Sequence, residues 1–95
     1  MVRYVTLLRF TEQGTKEMKK STGRAAAFRE AAQKAGVQVE AQYWTTGAYD
    51  GVLILTAEDK TKALQCLAAL GVAGNVRTET LQAFDAKEFE AIAGK

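Results

Sequence analysis

The chain has 95 residues, of which 47% are hydrophobic and 25% charged, and its formal net charge is +2. These values predict one globular domain over residues 1–95, with a core small enough to favour association with a second copy. Its densest basic group has glutamates interleaved, which is typical of a solvated helix face and argues against a nucleic-acid partner. This group comprises Lys16, Lys19, Lys20 and Arg24.

The residue types that usually carry metal and acid–base chemistry are scarce. The sequence contains no histidine, which removes the commonest general base near neutral pH and the commonest metal and haem ligand. Its single cysteine, Cys66, lies with Ala63 and Leu67 on the apolar face of a predicted helix, which favours core packing over a reactive thiol. We therefore expect no metal site and no cofactor.

No stretch of the sequence predicts membrane insertion or export. The longest aliphatic run, residues 52–55, is far shorter than the roughly 20 residues that span a bilayer. Arg9 interrupts the apolar N-terminal run, and no small-residue cleavage site follows it, so we expect no signal peptide. With one unpaired cysteine, these observations predict a cytoplasmic protein without a membrane partner.

The first half of the chain predicts a strand, a helix and a second strand. Residues 4–10 are apolar on both alternating sets, which is typical of a central strand covered on both sides. A helix interrupted near residues 21–23 should continue to residue 35, where Gly36 follows as a C-terminal cap. Residues 37–46 then alternate between apolar and polar, which predicts an edge strand.

A hairpin should join that strand to residues 50–57, which are again apolar on both faces. If Gly47 and Ala48 form a two-residue turn, Tyr43 pairs with Val52 and the turn needs positive φ at the glycine. A second helix should start at Thr56, Glu58 or Asp59 and run to residue 70, closed by Gly71.

The end of the chain predicts a fourth strand and a short helix. Residues 75–84 have mixed polarity, as expected of the other edge strand. Asp85 and Glu88 form a capping-box pattern, and Phe84 is placed to pack on Phe89 in the first helical turn. The resulting helix should reach about Ala93.

This order predicts an α+β fold, the ferredoxin-like βαββαβ arrangement with a four-stranded antiparallel sheet and an extra C-terminal helix. The helices of the two βαβ halves cover one sheet face only. We expect Leu53 and Leu55 to lie on the uncovered face, opposite Val52 and Ile54. Two chains should then pair through these faces as a homodimer.

Three segments of the sequence resemble the GYD domain family: residues 43–50, 4–8 and 74–80. The motif that names the family corresponds here to Gly47, Tyr49 and Asp50. The resemblance extends from residue 4 to residue 89. It implies a bacterial or archaeal protein of the dimeric α/β-barrel type, a fold shared by cofactor-free oxygenases and ligand-sensing domains. The family itself has no assigned activity.

Five residues are candidates for a functional site. Asp50 is the best candidate for a catalytic acid, with Tyr49 as its partner, although an aspartate beside a turn glycine commonly binds backbone amides instead. Trp44 is a candidate for ligand binding or for cross-strand packing. Arg77 and Glu79 lie on one strand face, where they could bind an anionic ligand or only neutralise nearby charges.

Three functional hypotheses follow. The first is a small-ligand-binding or sensing dimer with a cavity between the sheet faces, and the second is a cofactor-free oxygenase or isomerase. The third is a structural or assembly module. The residues leave open whether the protein is an enzyme.

Overall fold

The computed structural model describes residues 1–94 and has an α+β architecture. Its strands are β1 (Val2–Phe10), β2 (Val37–Trp44), β3 (Gly51–Ala57) and β4 (Val76–Gln82). Its helices are α1 (Glu12–Lys16), α2 (Ser21–Lys34), α3 (Lys60–Val72) and α4 (Ala86–Ala93), with a 3-10 turn at Met18–Lys20.

The four strands form one antiparallel sheet in the order β2-β3-β1-β4. The two strands that are apolar on both faces, β1 and β3, are central, as the sequence predicts. With α2 and α3 packed on one face of this sheet, the fold is ferredoxin-like and α4 is the additional C-terminal helix. The other sheet face, which we call the open face, has neither α2 nor α3 on it.

The predicted orientation of β3 is wrong. Leu53 and Leu55 are fully buried in the core under the helices, and Val52 and Ile54 are the half-buried residues of the open face. Both alternating sets of this strand are aliphatic, so the sequence pattern alone cannot distinguish the two faces. The core residues of the neighbouring strands, Tyr4 and Leu8 of β1 and Val37 and Val39 of β2, lie on the same side as the leucines.

A β-bulge in β2 explains why its alternation does not continue along the strand. Val39 pairs with Leu55 and Ala41 pairs with Ile54, so Glu40 is an extra residue with no partner position on β3. Its carboxylate accepts a hydrogen bond of 2.8 Å from the Thr56 hydroxyl. The bulge changes which residues of β2 face the helices: before it they are the odd-numbered residues, and after it they are the even-numbered ones.

The β2–β3 connection keeps the predicted register but is longer than a two-residue turn. Tyr43 pairs with Val52 as expected, and the strands end at Trp44 and Gly51. The backbone N–H of Thr45 donates to the Asp50 carbonyl oxygen at 2.9 Å and closes the loop. Gly47 has a φ of +110°, as the predicted turn requires.

Two predicted helix boundaries are displaced. The interruption of the first helical segment falls at the 3-10 turn, before Ser21, and α3 continues through Gly71 to Val72. The glycine with positive φ after α3 is Gly74, because α3 ends with Ala73 as its C-cap. The capping box of Asp85 and Glu88 is present as predicted.

Candidate functional site

A cavity of about 340 Å³ lies between the sheet and the helices α2 and α3. Its volume falls in the range of small-molecule sites, roughly 300–1,000 Å³. The walls are predominantly apolar, and the cavity is partly open to solvent. The large apolar residues that line it include Leu8, Phe10, Phe28, Trp44, Leu53 and Leu70.

Small residues in the sheet and the helices create this space. Gly51 stands between Trp44 of β2 and Leu8 of β1 in one row across the sheet, so the centre of that row carries no side chain. A Cβ atom at Gly51 would lie 3.0 Å from the Tyr43 carbonyl oxygen and 3.4 Å from Leu8 Cδ1. Above the sheet, α2 and α3 contribute small side chains such as Ala25 and Ala69 to the walls. The cavity is therefore a consequence of residue size along three elements.

Polar groups of α2 lie at the cavity wall nearest to β2. The Trp44 indole Nε1–H donates to Ser21 Oγ at 2.9 Å, which fixes the ring against the start of α2. One turn further along the helix, Arg24 donates from Nη1 to the Glu17 carbonyl oxygen at 2.8 Å. Arg24 Nη2 is buried and has no hydrogen-bond acceptor within residues 1–94.

Asp50 also lines the cavity, and its carboxylate supports the backbone. Its Oδ2 accepts a hydrogen bond of 2.8 Å from the Phe10 N–H, and its own N–H donates to the Leu8 carbonyl oxygen at 2.8 Å. These bonds join the end of β1 to the start of β3. To act as a catalytic acid or base through Oδ2, this carboxylate would have to give up its hydrogen bond to the backbone of β1.

The remaining predicted site residues lie on the open face. Tyr49 donates from its hydroxyl to Glu79 Oε2 at 3.2 Å, and Arg9 Nη1 lies 3.7 Å from Glu79 Oε1. The Arg9 guanidinium carbon is 4.6 Å from the centroid of the Tyr49 ring, and its Nε donates to the Ala48 carbonyl oxygen at 3.1 Å. This cluster attaches the β2–β3 loop to the sheet, and Arg77 lies beside it, in register with Arg9.

The structure thus divides the predicted site between two faces. Trp44 and Asp50 share the cavity on the helix side, whereas Tyr49, Arg77 and Glu79 lie on the open face. Sequence reasoning missed Ser21 and Arg24, because the basic residues of this segment fit a solvated helix face. Their spacing of three residues, which places both on one side of a helix, is the signal that could have identified them.

Other chemically active groups lie away from the cavity. Cys66 is partly buried against the core, as predicted, and burial raises the pKa of its thiol. Within residues 1–94, no three acidic or cysteine side chains come together in a way that could hold a metal ion. None of the helices in the described part of the chain is long and apolar enough to cross a membrane.

The GYD domain model matches residues 4–93, nearly the whole chain. The chain belongs to the GYD domain family. A curated relative from Thermus thermophilus, named glutamine synthetase and cystathionine beta-lyase binding protein, is 31% identical over 84 residues, which is 87% of this chain and 88% of the relative. The crystal structure of TTHA0845, also from Thermus thermophilus, is similar to this chain with a TM-score of 0.56 and 30% sequence identity. The match covers 90% of this chain and 96% of the TTHA0845 chain.

Proposed function

We propose that this GYD protein is a small-ligand-binding or sensing homodimer. The cavity beneath α2 is the observation that carries the proposal, since it combines a ligand-sized apolar volume with a few polar groups at one wall. A cytoplasmic location belongs to the same proposal, because one unpaired thiol suits a reducing compartment.

The homodimer is proposed from the composition of the open face. Central aliphatic side chains of this face are only half-buried, and Tyr43 and Leu81 at its edges are more than half exposed. A second copy placed face to face would cover them and would create the inter-sheet cavity predicted from the sequence. The half-buried members are Val5, Leu7, Val52 and Ile54.

Calorimetric titration with an aromatic acid and its amide, 2-naphthoate and 2-naphthamide, tests the ligand-binding proposal. We expect at least one of them to bind with one molecule per chain. Ala25→Phe should abolish binding because Ala25 lines the cavity. Ala26→Phe is the matched control, since the neighbouring Ala26 is exposed on the same helix.

Two results would contradict this proposal. One is the absence of binding by both compounds to the folded wild-type protein, which would leave the structural or assembly module as the better hypothesis. The other is equal binding by the Ala25→Phe and Ala26→Phe variants, which would place any binding outside the cavity. Thermal unfolding followed by circular dichroism checks that both variants are folded.

Binding of partner proteins is a second candidate function, favoured by the exposed apolar side of α4. Phe89 and Ile92 are 57% and 60% exposed, and α4 packs little against the other described elements apart from the 3.0 Å ion pair of Glu88 with Arg3. The radius of gyration, 14.1 Å, exceeds the roughly 12 Å expected for a compact chain of this length. A projecting amphipathic helix is a common docking element.

The name of the Thermus thermophilus relative supplies the partners to test, glutamine synthetase and cystathionine beta-lyase. We expect the purified enzymes of the source organism to bind this protein in a surface-immobilised assay, and Phe89→Ser to weaken binding. Lys87→Ser is the control because it changes α4 without removing an apolar side chain. Equal binding by the two variants would exclude α4 as the contact, and no binding to either enzyme would contradict this second function.

A further inference from the structure

The Arg24 guanidinium is incompletely paired at the cavity wall. Its Nη1 is bound to the Glu17 carbonyl oxygen at 2.8 Å, while Nη2 is buried with no acceptor in the described chain. A buried charged donor without an acceptor is unfavourable, because it has lost its hydration and gained no hydrogen bond. A ligand that supplies an oxygen acceptor would remove this cost.

The nearby carboxylates do not supply that acceptor. Glu17 Oε2 lies 3.3 Å from Lys20 Nζ, and Asp50 accepts from the Phe10 N–H at 2.8 Å. Neither forms an ion pair with Arg24 within residues 1–94. Arg24 is therefore a cation at this wall that has no carboxylate partner among residues 1–94.

A second donor lies on the same side of α2. Ser21 precedes Arg24 by three residues, so the two side chains project from one face of the helix. Ser21 Oγ accepts the Trp44 indole N–H and retains its own proton for donation to a ligand oxygen. A carboxylate has two oxygens and can accept from both side chains at once.

The rest of the cavity is suited to a flat, apolar part of a ligand. The rings of Phe10, Phe28 and Trp44 contribute to the walls, and the fully buried Leu53 contributes to the base. Aromatic side chains prefer offset stacking or edge-to-face contacts with other rings. These walls fit an aromatic group better than a sugar or a phosphate ester.

We propose that the cavity binds small aromatic carboxylates, with the carboxylate held by Arg24 and Ser21 and the ring packed among the aromatic walls. This inference rests on the proposed small-ligand function and gives it a ligand class. Arg24 Nη2 is at present covered by protein atoms, so binding includes a turn of the guanidinium toward the cavity, which the long arginine side chain allows.

The matched ligands 2-naphthoate and 2-naphthamide test the ligand class by calorimetry at neutral pH. Charge-assisted hydrogen bonds should make the acid bind about tenfold or more tightly than the amide. Arg24→Met should weaken binding of the acid by about tenfold or more, weaken binding of the amide much less, and so abolish the preference for the acid. Lys34→Met, which removes a positive charge at the other end of α2, should leave both affinities unchanged.

Each alternative result has a definite meaning. Equal affinities for acid and amide, with no effect of Arg24→Met, would overturn the carboxylate class and leave the small-ligand function standing. Equal weakening of both ligands in Arg24→Met would assign Arg24 a structural role and also overturn the inference. Binding of neither ligand to the wild-type protein would overturn the inference together with the proposed function.

Discussion

Leu55 and Ile54 are adjacent in β3, yet truncating them to alanine should affect different equilibria. Leu55 is fully buried within one chain, so Leu55→Ala should lower the free energy of unfolding by about 2–5 kcal/mol at any protein concentration. Ile54 is partly exposed on the open face, so Ile54→Ala should cost the isolated chain less.

The effect of Ile54→Ala on the proposed dimer follows from symmetry. Fully burying an isoleucine is worth about 1.5–3 kcal/mol, and at most roughly a third of that remains for a partner to supply, because Ile54 is already largely buried within its own chain. A two-fold interface loses the side chain twice, which gives up to about 1–2 kcal/mol and a dimer Kd that is up to roughly five- to thirtyfold higher.

Urea unfolding at two protein concentrations, combined with sedimentation velocity, separates the two effects. Mass action makes the unfolding midpoint of a dimer depend on concentration, and Ile54→Ala should reduce this dependence while Leu55→Ala keeps it. The face assignment would be refuted if Ile54→Ala destabilised the dilute chain as much as Leu55→Ala. A wild-type protein that sediments as a monomer at high concentration would refute the dimer.

The other predictions concern the helices. In chemical unfolding, Gly14→Ala should destabilise the protein by about 1–3 kcal/mol, because a Cβ atom at this position would clash with the Asn75 carbonyl oxygen. Gly23→Ala is the control, because a Cβ atom there meets open space, and it should be neutral or stabilising by up to about 1 kcal/mol. Equal effects would contradict the close approach of α1 to Asn75. Asp85→Ala should cost about 1 kcal/mol and speed hydrogen exchange within α4 alone, and a rise across the sheet would show that α4 is part of the core. Hydrogen bonds from the Asp85 backbone N–H and from Arg3 lower the pKa of Glu88, so its contribution to α4 is present above about pH 4.5 and is lost as the pH falls through the lowered pKa. The protection factors of the α4 amides, which are corrected for the intrinsic pH dependence of exchange, should fall over that range in the wild type, and a Glu88→Gln variant with the same pH response would contradict the assignment.

The topology could be predicted from the sequence because each element has a local cause. Apolar character on both faces of β1 and β3 identifies the central strands, and Asp85 with Glu88 determines the start of α4. Which face of β3 lies under the helices could not be predicted, because both alternating sets of its side chains are aliphatic and either could be covered. That choice is made by packing across the whole sheet.

Only part of the candidate site could be predicted for a similar reason. Trp44 was identifiable as a large aromatic residue beside a loop, and the structure places it in the cavity. Arg24 lies 20 positions earlier in the sequence and carries charge on an otherwise solvated segment. Its position at the cavity wall depends on the packing of α2 against β2, which no local sequence pattern predicts.

The bulge at Glu40 allows Trp44 of the edge strand β2 to line the cavity. Val39 and Trp44 are five positions apart, and in a regular strand residues at an odd spacing point to opposite faces. The extra residue exchanges the faces, so Val39 packs in the core while Trp44 reaches Ser21 on the same side of the sheet. It also moves Tyr43 to the open face beside Val52, where a second copy would contact it. One inserted residue therefore places Trp44 in a wall of the proposed ligand site and Tyr43 at an edge of the proposed dimer interface.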